Sequence, residues 1–452
     1  MSTAIFDNFQ APGNAPANFP YGINIGNSTG GIANNIGIAG QRGFGVGICP
    51  GPLPTGMGGM QGYNDQSSDN YGNYQYSDGS VMVWIPAFYY KYGTGANGYA
   101  INVVNIQPFS AYTTVATANA AGYALHRAFY DGGNVAYGFF IDKYKTSNNS
   151  GIASSLKNGN VLTSAQRGSL STAMYSALNG APANNLGGSI AASKTRGVNF
   201  FPTSMFQRSA MALLALAHGQ SSTSTTYNGW YDAAGVTNFP KGNNNNALGD
   251  SQDASIQYVY DGNGTYTGCG KTGSANLFNR TTHNGQNCGV ADLNGLTNDF
   301  CPGITSDATN YYLLNTSVAM KSVTGSNTLA TDLWGATGYA AMYTNIGTTY
   351  GPLWATGANR TYSMGNASQV LSEATSGTPW AIAGAGIPLI GGIGGTNMFG
   401  NDVQYDYKPN EMAPSMGGYW SDGSGTGVWY LNLSSYRTAS ILGSGFRSAL
   451  YL

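Results

Sequence analysis

The sequence reads as an α+β protein in which strands and ordered loops dominate and helix is the minority. Gly supplies 67 of 452 residues and charged residues only 8%, against roughly 7% Gly and 25% charge in an average protein. The chain is therefore unusually neutral, yet 42% hydrophobic and 12% aromatic residues give it a core rather than the make-up of a solvated tail. Its acids include just two glutamates, Glu373 and Glu411, and lysine is scarce, so the side chains that normally coat exposed helix faces are missing. In their place stand 32 tyrosines with abundant Gly, Asn, Ser and Thr. Those residues suit short strands, tight turns and recognition surfaces.

Taken in order, residues 1–78 are punctuated by Gly, Pro and Asn and carry charge only at Asp7, Arg42, Asp65, Asp69 and Asp78. This composition predicts an extended arm, either disordered or ordered by wrapping a neighbouring subunit, the second being favoured. A domain follows over 79–452. Its first strand signal is Ser80–Lys91, rich in β-branched and aromatic residues and interrupted by Pro86, which predicts an edge position or a bulge. A second strand signal lies at Val135–Tyr144. Thr163 is placed to cap a helix running to Leu178, and Pro202–Ala217 predicts a second, buried helix stopped by His218-Gly219. Short strands are predicted at Ile256–Tyr260, Tyr311–Leu314, Gly427–Leu433 and Gly445–Leu450.

Charge and spacing exclude several classes of function. With 18 Lys+Arg against 19 Asp+Glu, a nucleic-acid partner or an acidic membrane surface has no electrostatic driver. The apolar run through Met211–Ala217 is far short of the roughly 20 residues of a membrane helix. The N-terminus has no basic region followed by an apolar one, so assembly in the cytoplasm is expected. Cys49, Cys269, Cys288 and Cys301 allow three pairings, but in a reducing compartment they read as packed thiols. His126, His218 and His283 are far apart, and His283 with its neighbouring cysteines lacks the CxxC spacing of a zinc site. Gly264–Thr272 misses the phosphate-loop spacing by one residue, and Asp261-Gly-Asn263 lacks the later ligands of a calcium loop. Two glutamates make a Glu pair for glycoside hydrolysis improbable, and an Asp pair stays open. No metal or cofactor is expected, and no nucleophile and base converge, so the chain is not expected to be an enzyme.

Three separated motifs carry a family resemblance. Met82–Tyr90 followed by Gly138–Lys145 resembles the opening strands of the C-type lectin variant found in formylglycine-generating enzymes. His283–Gly295, running on to Cys301–Thr305, resembles the hydrophobic-Asp-hydrophobic turn of that fold as phage tail proteins carry it, with Lys241–Asp250 upstream. Gly417–Leu450 is similar to the C-terminal variable region of proteins diversified by retroelements, of which phage tropism determinants are the best-known type. The resemblance covers residues 79–452 and implies a C-type lectin-like domain of the formylglycine-generating-enzyme subtype. Besides lacking the Trp-Glu that often follows Asn-Gly at Leu293–Asn298, it departs from the family in two respects that bear on activity. No cysteine follows Cys301, so the copper-dependent activity is not implied. The Glu-Pro-Asn and Trp-Asn-Asp motifs of calcium-dependent lectins are absent, so calcium-bridged glycan binding is not implied either.

Within the C-terminal region, Trp420, Gly427, Val428, Leu431, Leu433, Arg437, Gly445, Phe446 and Arg447 read as scaffold, the two arginines as paired anchors. Between them the resemblance implies outward-facing, diversified ligand-binding positions at Tyr419, Ser421, Asp422, Ser424, Thr426, Tyr430, Ser434, Ser435, Tyr436, Thr438, Ser440, Leu442 and Ser444. Their residue types suit a binding surface independently of the resemblance. The expected function is a phage receptor-binding protein, a tail-fibre or tail-tip adhesin presenting this face to a host surface receptor, protein or glycan. Its expected partners are that receptor, other virion proteins and copies of itself, a trimer being implied by the resemblance. The competing expectation is a structural head-fibre or decoration protein lashed to the virion by residues 1–78.

Overall fold

The strand signal at Ser80–Lys91 becomes two strands, Val81–Pro86 and Phe88–Tyr92, in different sheets. In this computed structural model, residues 35–101, 103–221, 242–250, 253–263, 265, 268–315, 317, 320, 342–348, 360–363, 371–388 and 402–452 are described. Val81–Pro86 is not an edge. It lies between Asn73–Tyr76 and Gly138–Asp142 in a six-stranded sheet ordered Met57–Gly59, Asn73–Tyr76, Val81–Pro86, Gly138–Asp142, Ser448–Leu450, Phe201–Pro202, with every neighbour antiparallel. Pro86 is tolerated because it is the last paired residue, opposite Gly138, and the chain leaves the sheet immediately after it. Alternate residues then serve opposite faces. Val83, Ile85, Phe139 and Ile141 enter the main core, while Met82, Trp84, Phe140 and Leu450 form a second one with Tyr74 and Phe200.

A second six-stranded sheet is mixed, in the order Arg360–Ser363, Val403–Asp406, Leu431–Asn432, Ser415–Met416, Asn298–Phe300, Ser444–Gly445. Its pairs Gln404↔Leu431 and Asn298↔Ser444 are parallel. A three-stranded sheet, Ile304–Ser306, Tyr311–Leu314 and Tyr343–Gly347, lies apart from it. The described helices are α1 (Val115–Ala120), α2 (Leu186–Ser193), α3 (Met205–Ser221) and α4 (Gly377–Ala383). The protein is thus α+β and sheet-rich, and no described helix is long and apolar enough to cross a membrane.

Several sequence expectations are corrected. Thr163–Leu178 forms no α-helix. Arg167 donates to Thr163 Oγ1 at 2.7 Å, the Thr163 hydroxyl donates to Ala165 O, and Gly168 takes φ +49°, so the segment breaks into two 3₁₀ turns, Ser171–Ala173 and Tyr175–Ala177. Helix α3 does not stop at His218-Gly219 but runs on to Ser221, with Met205–Gly219 buried throughout. The His218 ring is satisfied by tertiary contacts: it stacks on Phe44 at 5.5 Å, and its Nδ1 accepts the Gly40 N–H. Ile256–Tyr260 makes only isolated bridges, and of Gly427–Leu433 only Leu431–Asn432 is strand. The last predicted strand divides into Ser444–Gly445 and Ser448–Leu450, one in each large sheet.

The extended arm also changes. Residues 1–34 lie outside the described residues, whereas 35–78 are packed into the domain. Ile36, Phe44, Val46, Ile48 and Tyr71 belong to the main core, and Met57–Gly59 and Asn73–Tyr76 are sheet strands. Gly45 adopts φ +79°, and a Cβ on it would lie 2.7 Å from His283 Nε2, so only glycine fits this approach. Low sequence complexity here encodes tight turns around buried anchors.

Candidate functional site

The C-terminal segment is held from beneath by a buried charge cluster. Asp299, on strand Asn298–Phe300, accepts from Lys145 Nζ at 2.8 Å and Arg447 Nε at 3.1 Å, with Arg208 Nε 3.7 Å away, all four side chains buried. The cations outnumber the carboxylate, and backbone carbonyls accept further donors: Lys145 donates to Thr297 O, Arg208 to Leu293 O, and Arg447 to the carbonyls of Asp142, Lys143, Ala291 and Asp292. Burial alone would raise the Asp299 pKa, but Lys145, Arg447 and Arg208 outweigh it and hold the carboxyl below its ordinary value. Arg447 is thereby the anchor expected from the sequence. Arg437 is buried too, and its backbone N–H donates to Glu411 O.

Above this cluster the chain from Gly417 to Ser444 folds into a cup. Gly427 approaches Asp402 so closely that a Cβ would lie 2.0 Å from Oδ1, and Asp402 Oδ2 accepts the Trp429 N–H at 3.0 Å. That contact fixes the turn before Tyr430. On the other side, Ser164 accepts the Ile441 N–H on Oγ, its own N–H donates to Ser444 O, and Ser440 Oγ donates to its carbonyl. Gly443 packs under Tyr419, where a Cβ would fall 2.5 Å from the ring. Asn246, at φ +56°, donates its backbone N–H to Trp420 O.

The result is a cavity of about 750 Å³. Of the residues singled out from the sequence, Tyr419, Ser421, Asp422, Tyr430, Ser435, Ser440, Leu442 and Ser444 line it. Ser424, Ser434, Tyr436 and Thr438 lie outside it, and Tyr436 is 48% exposed. Thr426 is fully buried, its hydroxyl donating to Tyr419 O, and Tyr430 and Ser444 are buried apart from the part that meets the cavity. These three are therefore not outward-facing, because the turn at Gly427 and the pairing of Ser444 with Asn298 turn them inward.

Sequence reasoning missed Asn246, Asn298, Tyr405, Ser415 and Asn432 and assigned Trp420 to the scaffold, yet all six line the cavity. Asn432 had a signal, since it alternates with the core residues Leu431 and Leu433. Asn246 lies in the upstream Lys241–Asp250 motif. Tyr405 and Ser415 arrive by sheet pairing alone.

The electrostatics of the cup rest on one group. Asp422 Oδ2 accepts the Tyr419 N–H at 2.9 Å. Burial pushes its carboxyl up to about 6, against the Tyr419 N–H and the Tyr430 hydroxyl, which favour the ionised form. Tyr430 is raised well above the ordinary phenol range by burial and then by the Asp422 charge, and Tyr405 is raised for the same two reasons in the same order. Among the described residues no Lys, Arg or His lines the cavity. Tyr419 and Trp420 meet edge to face at 5.2 Å, and Tyr405 and Tyr430 at 5.8 Å. Such walls offer stacking faces with amide and hydroxyl hydrogen bonds, the chemistry of recognition.

The other weighed residues sit elsewhere. Asp261 is committed to Arg167 at 3.0 Å and to the Asn263 N–H. Thr272 Oγ1 donates to Asp292, which also accepts from Gly273 N and Tyr258 Oη; Gly264 lies outside the described residues. His283 is buried between Gly45 O and the Val290 N–H, and burial pulls its pKa down to about 3. The four cysteines are free and buried. Among the described residues no group of three or more His, Cys, Asp or Glu is placed to hold a metal ion. Comparison of the chain with protein-family models and with curated proteins returns no match.

Proposed function

We propose that this chain is a virion receptor-binding protein, a phage tail-fibre or tail-tip adhesin, whose C-type lectin-like domain presents the Gly417–Ser444 cup to a host surface receptor. The observation that carries the reading is convergence. Eight positions chosen from a C-terminal pattern, spread from Tyr419 to Ser444, line one cavity, while Leu431–Asn432 between them and Ser444–Gly445 at their end are bound into one six-stranded sheet, and Arg447 just beyond joins a buried charge cluster. A rigid frame under a polar, aromatic face is what a binding site needs in order to vary its side chains without losing its fold. Assembly as a homo-oligomer, a trimer in this reading, would raise weak single-site binding by multivalency. The competing reading, a structural head-fibre or decoration protein, drew on residues 1–78 as a lash, and the packing of 35–78 removes that support from this stretch.

The test is an antibody raised against residues 417–452, applied to intact particles and to an adsorption assay in the same sample. Labelling at the tail tip with blocked adsorption is the expected result. Labelling over the head or shaft with adsorption unaffected would favour the structural reading.

A further inference from the structure

We infer that the cup takes an ammonium group, a lysine side chain of a protein receptor, seated against the Asp422 carboxylate among Tyr405, Tyr419 and Tyr430. This deepens the proposed receptor-binding role and rests on it.

The first argument is an unmet charge. Asp299, Asp142, Asp261 and Asp253 each face an arginine or lysine. Asp292, which has no cation partner among the described residues, is saturated by donors from Tyr258, Thr272 and Gly273. Asp422 is different: among the described residues no cation stands within ion-pair distance, and its donors are the Tyr419 N–H and the Tyr430 hydroxyl. A half-buried carboxylate with spare lone pairs, opening on a cavity that no Lys, Arg or His among the described residues lines, repels anions and has capacity left for a cationic donor.

The second argument is the wall. Tyr405, Tyr419 and Tyr430 line the same cavity, and so does Trp420, whose ring already faces the Arg167 guanidinium at 6.0 Å. Aromatic faces attract alkylammonium cations, more so where water is thinned out, and a carboxylate at the base of such a box completes a lysine-type site. The rest of the lining, Ser421, Ser435, Ser440 and Asn432, is the short hydroxyl and amide palette that suits a protein epitope.

The test titrates the purified full-length protein by calorimetry with three probes: N-acetyl-lysine-N-methylamide, the same compound acetylated on Nε, and glucosamine. At pH 7.5 the free lysine probe is expected to bind at least about tenfold more tightly than its acetylated counterpart, the loss of one desolvated charge pair. Asp422→Asn, which keeps an acceptor for the Tyr419 N–H, should lose a similar factor. Binding should also weaken as pH falls from 7.5 to 5. Among the described residues Asp422 and the three tyrosines are the titratable groups that line the cavity; Asp299, held below its ordinary value, and Asp402, Asp406, Arg167 and Arg437 stand on the elements packed around it, so protonation of Asp422 is the change at the cavity wall in that range. Equal affinity for the two lysine probes overturns the inference, as does binding of glucosamine without lysine. The probe comparison needs no variant, so it decides the matter even where Asp422→Asn misfolds. Competition by the purified protein against particle adsorption separates the two readings. Competition without lysine binding overturns the ammonium site and leaves the receptor role standing; lysine binding without competition does the reverse.

Discussion

Asp299 and Arg447 lie 148 residues apart and meet at 3.1 Å in a fully buried ion pair that Lys145 joins from the other carboxylate oxygen. Through this pair the end of the chain is tied to both large sheets, since Asp299 belongs to one and Arg447 directly precedes the strand Ser448–Leu450 of the other. The cup above it inherits that rigidity.

Asp299→Asn should therefore be severe. It leaves Lys145, Arg208 and Arg447 buried without an anion, a change expected to cost about 3–5 kcal/mol in equilibrium denaturation by guanidinium. A loss below about 1 kcal/mol would mean that the surrounding carbonyls hold the cations unaided. The wild type should also lose stability in acid with a definite sign. The folded carboxyl is held below 3.8, so its contribution is complete above that pH and disappears as pH falls through the lower, folded value.

Asp422 should act in the opposite direction. Its folded pKa is raised from 3.8 to about 6, so the unfolded chain releases its proton first. Stability contributed by this group falls as pH rises from about 4 to 6. The expected difference is about 1–2 kcal/mol after allowing for partial exposure. Thermal unfolding of wild type and Asp422→Asn at pH 4 and pH 7 checks it: the substitution should be nearly neutral at pH 4 and stabilising at pH 7.

Phe44→Ala tests the place of residues 35–78. The ring is fully buried and stacked on His218, so its loss should cost about 3–5 kcal/mol. A change within about 0.5 kcal/mol, the range of a surface site, would return this stretch to the status of an arm.

The thiols supply a fourth measurement. Cys49, Cys269, Cys288 and Cys301 are free and buried, and burial pushes Cys49 up to about 12 and raises the other three. The native protein should resist a thiol-specific reagent at pH 8, whereas the unfolded chain should react at all four positions. Rapid modification of the native state would contradict the packed-thiol reading.

Some of this was legible in the residues themselves. Scarce Glu and Lys with abundant Gly and Tyr gave an α+β chain low in helix, because those features act locally through propensity and turn geometry. The buried character of the helix predicted over Pro202–Ala217 followed from its apolar periphery, and the core positions of Leu431 and Leu433 from their alternation with Asn432. Where the expectation failed, a distant partner overrode the local signal. Thr163 looked like a helix cap until Arg167 took its hydroxyl, and His218-Gly219 looked like a stop until Phe44 covered it.

The sequence by itself determined the composition class, the main hydrophobic strands and the segment from which most of the cup is made. Only the tertiary structure decided that Thr426 turns inward, that Tyr405, Ser415 and Asn298 join the wall, and that Asp422 stands without a cation among the described residues. The physical reason is range. Propensity and alternation act over a few residues, whereas a cavity and an unpaired charge depend on which distant strands pair, and in this chain Asp299 brings Lys145 and Arg447 together across 154 and 148 residues.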